Sequence, residues 1–116
     1  MDSEAKQSFI REQARGNRRD PRGARILWSR HAITRLVIDD LDRRAIERAL
    51  EHCALVEDYA APHRPLPDCL VLGWLTSGEP VHAVIGVDMD KGRILIITVY
   101  LPSKEEWEDD WRTRKR

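Results

Sequence analysis

Two histidines, a tyrosine, a threonine and a few arginines are the residues of this 116-residue chain whose types could do chemistry together. In WSRHAITR, Ser29 is a good helix N-cap, so His31 falls in the first turn of a helix and Arg35, four residues on, shares its face. A neutral imidazole there could take a proton. Free backbone N–H groups at that helix end could hold a phosphate, and Arg35 could add a charge-assisted bond to it, with Arg30 beside them. Cleavage of RNA by its own 2′-hydroxyl asks for little more: a base, a cation facing the phosphorane, and an acid for the leaving oxygen. The candidate catalytic set is His31, Arg35, His82 and Tyr100, with His82 or Tyr100 as the acid. Thr98, Arg30, Arg112 and Arg114 are the candidate substrate-binding residues, the last two if the last helix folds back. Each also has an ordinary reading, since a strand histidine is usually a hydrogen-bonded sheet residue and Tyr100 could be an edge aromatic.

The elements that must position these residues can be read from pattern. Residues 3–15 allow a weak helix with Ala5, Phe9, Ile10 and Ala14 as a thin apolar stripe, and GNRRDPRGAR reads as a basic linker. Ile26–Trp28 forms a short strand, followed by a helix to about Val37 with Ile33, Leu36 and Val37 on the face opposite His31 and Arg35. Asp42 caps a further helix whose stripe is Ala45, Ile46, Ala49, Leu50 and Cys53. A strand over Leu55–Tyr59 and a proline-rich loop, APHRPLPD, come next. Cys69–Thr76, Val81–Met89 and Arg93–Leu101 then read as an antiparallel meander, and Ser103 with Glu106 as the capping box of a last helix anchored by Trp107 and Trp111. The expected architecture is α+β: a basic N-terminal arm over 1–25, then one domain over 26–116 with two helices, a three- to four-stranded antiparallel sheet and a C-terminal helix.

Turn sequences suggest a register. A turn at Ser77-Gly78 pairs Thr76 with Glu79 and sets Gly73 opposite His82; a loop at Asp90-Lys91-Gly92 pairs Met89 with Arg93 and sets His82 opposite Tyr100. One face then carries Leu70, Leu72, Trp74, Val81, Ala83, Ile85, Val87, Leu95, Ile97, Val99 and Leu101 as core. The other carries Gly73, His82, Gly86, Thr98 and Tyr100 among Val71, Val84 and Ile96, a floor with room left on it.

Composition bounds the function. Lys plus Arg and Asp plus Glu are 20 each, so bulk electrostatics alone does not carry nucleic-acid binding. The charge is uneven: residues 11–35 hold eight arginines against Glu12 and Asp20, and five of the six residues from Glu105 to Asp110 are acidic. No stretch approaches the ~20 apolar residues of a membrane span, and the polar, acidic start lacks a secretory pattern, so the expected setting is cytoplasmic. Cys53 and Cys69 fit no CxxC pattern and read as reduced thiols in or near the core. No residue set has zinc-site spacing or the form of a glycine-rich phosphate loop, so no metal and no cofactor are expected.

Taken together, WSRHAITR, LVLGW, PVHAVIGV, IITVYLP and the Trp-bearing, Arg-ending helix resemble the small prokaryotic family called domain of unknown function 4258, over about Leu27 to Arg114. The resemblance implies kinship with RelE/ParE-like toxins and MqsR-like messenger-RNA interferases, hence a RelE-like fold and a toxin-like endoribonuclease in a toxin–antitoxin pair. A non-catalytic protein- or nucleic-acid-binding module of the same fold is the alternative. The family's pattern falls on His31, Ala32, Arg35, Gly73, Pro80, His82, Thr98, Tyr100 and Pro102. Where the family often has a second arginine, this chain has Asp39, a carboxylate that would repel phosphate. The implied partners are RNA and an antitoxin protein, the latter bringing acidic and apolar residues to the basic arm and to the apolar part of the floor.

Overall fold

The computed structural model describes residues 2–59 and 65–116. It is an α+β fold in which three α-helices and one short strand precede four successive strands, the five strands forming one mixed sheet: α1 (Ser3–Arg19), β1 (Ile26–Trp28), α2 (Arg30–Ile38), α3 (Arg43–Ala49), β2 (Ala54–Tyr59), β3 (Asp68–Trp74), β4 (Pro80–Asp88) and β5 (Arg93–Tyr100). The strand order is β1-β5-β4-β3-β2, with β1 parallel to β5 and every other pair antiparallel. The sheet therefore exceeds the expected three to four antiparallel strands by adding β1 at one edge and β2 at the other. The first half of the proline-rich loop, residues 61–64, lies outside the described residues.

The N-terminal segment is more than a weak helix followed by a linker. Asp2 caps α1 by accepting the Ala5 N–H at 2.7 Å, and the helix runs to Arg19. Ile10 and Ala14 are buried in the main core, and Lys6, also buried, is held by Asp58 of β2 and by the Asp68 carbonyl at 3.2 Å. Arg11 and Arg15 reach the Cys53 and Glu51 carbonyls at 2.7 and 2.8 Å. The arginines that made this segment look like a solvated arm are thus partly used to bond the backbone after α3, which pins α1 across the sheet.

Ser29 and Asp42 cap α2 and α3 as their sequences predict, accepting the Ala32 and Ala45 N–H groups. In α2, however, Ala32 and Leu36 turn inward, while Ile33, Val37 and Ile38 are 46%, 79% and 64% exposed. The expected buried face of Ile33, Leu36 and Val37 is corrected accordingly. With nine residues α2 presents only a narrow contact to β5, which one alanine and one leucine fill.

The register differs from the expected one in an instructive way. Leu75 N–H bonds the Glu79 carbonyl at 2.9 Å around Thr76-Ser77-Gly78, with Gly78 at φ +90°, so Leu72 rather than Gly73 pairs with His82. A one-residue slip reverses the faces of a strand. Cys69, Val71 and Gly73 lie on the core side, whereas Leu70, Leu72 and Trp74 take the other. Gly73 is there because a Cβ would stand 3.0 Å from that of Ala49. At the second turn Asp88 pairs with Arg93 around a four-residue loop, one residue off the expected pairing. A bulge at Ile97 restores the difference, so His82 does pair with Tyr100. The bulge also turns Ile94, Ile96 and Val99 to the core and leaves Leu95 and Ile97 on the opposite face, correcting the expected assignment of Leu95, Ile97 and Ile96.

The expected C-terminal helix is absent. Residues 103–115 form successive turns and a small antiparallel bridge between Trp107 and Arg114. The Ser103 carbonyl accepts the Glu106 and Trp107 N–H groups, a single turn that stops because Glu108 N–H bonds the Thr113 carbonyl instead. Asp110 caps the reversal by accepting from Arg112 N and Thr113 N at 2.9 and 3.0 Å, and Trp111 sits at φ +60°. Both cysteines are free and buried, and burial pushes each thiol up to about 12, which keeps them unreactive packing groups.

Candidate functional site

Thr98 and Tyr100 project from one face of β5, two residues and therefore about 7 Å apart. Thr98 meets His31, whose Nε2 lies 3.0 Å from its Oγ1, and Tyr100 meets His82, whose Nδ1 lies 3.2 Å from its hydroxyl. The first pair exists because Ser29 both caps α2 and donates to the Ile97 carbonyl at 2.7 Å, which fastens the start of the helix to the bulge of β5. The second follows from the β4–β5 register. Arg35, one turn after His31, lines an open cleft with Tyr100, Leu101, Ser103, Glu106 and Trp107.

His82 is fully buried beneath this cleft. Its Nε2 lies 2.7 Å from the Trp111 carbonyl, which can only accept, so Nε2 carries the proton and Nδ1 accepts from the Tyr100 hydroxyl. Trp107 packs edge-on against the imidazole at 4.5 Å. Burial lowers the pKa of His82; the Trp111 carbonyl and the Glu57 charge act the other way, and Arg114 adds to the lowering. The imidazole is therefore a neutral support for Tyr100 and has no open path to a substrate. Tyr100, the remaining candidate acid, lines the cleft, and burial raises its pKa above the usual value.

The floor imagined around His82 is not open. The C-terminal segment covers it, clamped by a bidentate pair from Arg114 to Glu57 of β2 at 2.7 and 3.1 Å, with the Arg114 guanidinium 4.7 Å from the Trp107 ring centroid. That pair raises the pKa of Arg114 and lowers that of Glu57. Arg112 bonds the Leu55 carbonyl at 3.3 Å. These two arginines thus secure the tail to the β2 edge and do not line the cleft. Gly73 lies under α3, away from the site.

The structure therefore brings together His31, Arg35, Thr98, Tyr100 and, below the surface, His82. Arg30 is exposed at the first position of α2. Arg35 is engaged by Asp39 at 2.7 Å, and Glu106 adds a second carboxylate to the cleft. Sequence reasoning missed the Trp111 carbonyl, because a backbone acceptor leaves no residue-type signal, and missed Glu57, whose role exists only once the tail folds over β2.

The sequence model of a family described as domain of unknown function (DUF4258) matches residues 28–101, the stretch from the end of β1 through β5 that holds every residue of this cleft except those from the tail. The chain belongs to this family. No curated protein and no solved structure matches it. The match ends just before the segment that closes over His82, and α1 lies before it.

Proposed function

We propose that this chain is a toxin-like endoribonuclease of RelE-like arrangement that cleaves RNA by attack of the 2′-hydroxyl, without a metal. The observation that carries the reading is that His31 of α2 sits against Thr98, the same-face neighbour of Tyr100 on β5, with Arg35 lining the cleft beside Tyr100. His31 accepts the proton of the 2′-hydroxyl, and the freed oxygen attacks phosphorus. The Tyr100 hydroxyl leaves its bond to His82 Nδ1 and protonates the departing 5′-oxygen, giving a 2′,3′-cyclic phosphate and a 5′-hydroxyl; the proton taken by His31 then returns through solvent to the Tyr100 phenolate. The leaving alkoxide is far more basic than phenolate, so this transfer runs downhill even from a tyrosine whose pKa burial raises. Phosphate competes with Asp39 for Arg35, and the Arg30 and His31 N–H groups at the open end of α2 add to its binding.

The test is incubation of the purified protein with RNA in EDTA, alongside His31→Ala and Tyr100→Phe. Wild-type cleavage should fall by about 100-fold or more in each variant. Equal cleavage by all three, or none by wild type, would leave the non-catalytic binding module. The carboxylates of Asp39 and Glu106 favour that second reading, as do exposed Ile33, Val37 and Ile38 beside the site, a surface that suits an antitoxin-like protein segment.

A further inference from the structure

Away from the cleft, exposed positive charge gathers between α1 and α3, where a recess of about 170 Å³ is lined by Arg18, Arg44 and Arg48 with Glu47 and Glu51. Its acids are already occupied. Glu51 is buried and paired with Arg18 at 3.2 Å, and Glu47 accepts from the Trp28 indole at 2.9 Å, from Arg43 at 3.3 Å and from Asn17 at 3.4 Å. Among the described residues, Arg44 and Arg48 have no carboxylate partner, and Arg19 and Arg22 stand exposed near the end of α1.

The two exposed guanidinium groups of Arg44 and Arg48 stand one helical turn apart on α3, with Arg19 and Arg22 exposed near the end of α1, and spaced cations of this kind are what a phosphodiester chain needs. Beside these arginines, Arg43 lies 5.6 Å from the Trp28 ring centroid, a cation–aromatic pair at the end of β1.

We propose that the arginine recess between α1 and α3 is a docking site for the sugar–phosphate backbone of an RNA strand. The choice of RNA rests on the cleavage reading above, but the test does not depend on cleavage. The probe is a short fluorescent 2′-O-methyl RNA, which cannot be cut by 2′-hydroxyl attack, and the readout is anisotropy over a salt series. Near physiological ionic strength the double substitution Arg44→Gln and Arg48→Gln should weaken binding about tenfold and lower the log–log salt slope by about 0.7 per arginine. Lys91→Gln with Lys115→Gln, exposed cations elsewhere, serves as the charge-matched control, with melting temperature checked in both. Unchanged affinity in the arginine variant, an equal loss in the control, or equally strong competition by polyglutamate would overturn the proposal. Arginine-dependent binding without wild-type cleavage of ordinary RNA would support the docking site and remove the cleavage reading. Cleavage with arginine-independent binding would do the reverse.

Discussion

At the scale of single residues the site sets His31 and Tyr100, to which the proposed cleavage gives the proton transfers, beside Asp39, which holds Arg35 at 2.7 Å. If Arg35 serves a phosphate, removing its competitor helps: Asp39→Asn should raise affinity for the RNA probe, by about 1.5- to 5-fold for one partly exposed ion pair. Unchanged or weaker binding would count against Arg35 as a phosphate ligand. His82 gives a second residue-scale prediction. Its folded pKa lies below the ordinary 6.5, so the unfolded chain binds more protons as pH falls past that value. The stability it contributes is therefore complete above 6.5 and is lost as pH drops toward the folded pKa. Urea unfolding from pH 8 to pH 5 should show this loss in wild type, whereas His82→Gln should be less stable throughout but flatter over the same range. Identical slopes would mean that His82 is not the buried neutral imidazole described here.

At the scale of elements, the decisive part is the C-terminal segment that closes over His82. Trp107 is its anchor, buried between the imidazole and the Arg114 guanidinium. Trp107→Ala should cost about 3–5 kcal/mol, measured by denaturant unfolding, and should release the Trp111 carbonyl from His82. A loss below about 1 kcal/mol would show that the tail is not part of the packed structure. The elements also show which signals a sequence carries. The caps Ser29 and Asp42 were legible because one side chain fixes each helix start. The slip at Leu72–His82 was not, since Thr76-Ser77-Gly78 accommodates either loop length and only the contact of Gly73 with Ala49 selects one. The bulge at Ile97 lies in the run ILIITV, which has no polar alternation to reveal it. The capping box at Ser103 is locally consistent with a helix. It loses to the Glu108–Thr113 and Trp107–Arg114 pairings, a tertiary arrangement that local propensity does not encode.

At the scale of the whole molecule, the sheet separates two jobs. α1 and α3 cover one face and build the core, and their outer surface gathers the unpaired arginines. The other face carries His82 under the tail and opens at Thr98 and Tyr100 toward α2. Among the described residues no helix is long and apolar enough to cross a membrane. The most direct measurement of the central claim is mass spectrometry of the fragments made from RNA in EDTA, with a second RNA carrying one 2′-deoxy nucleotide at the cut position. The account predicts fragments ending in 2′,3′-cyclic phosphate and beginning with 5′-hydroxyl, absent with the 2′-deoxy RNA and absent with His31→Ala. Fragments bearing a 5′-phosphate, cleavage that survives the 2′-deoxy substitution, or no fragments above the His31→Ala background would contradict it.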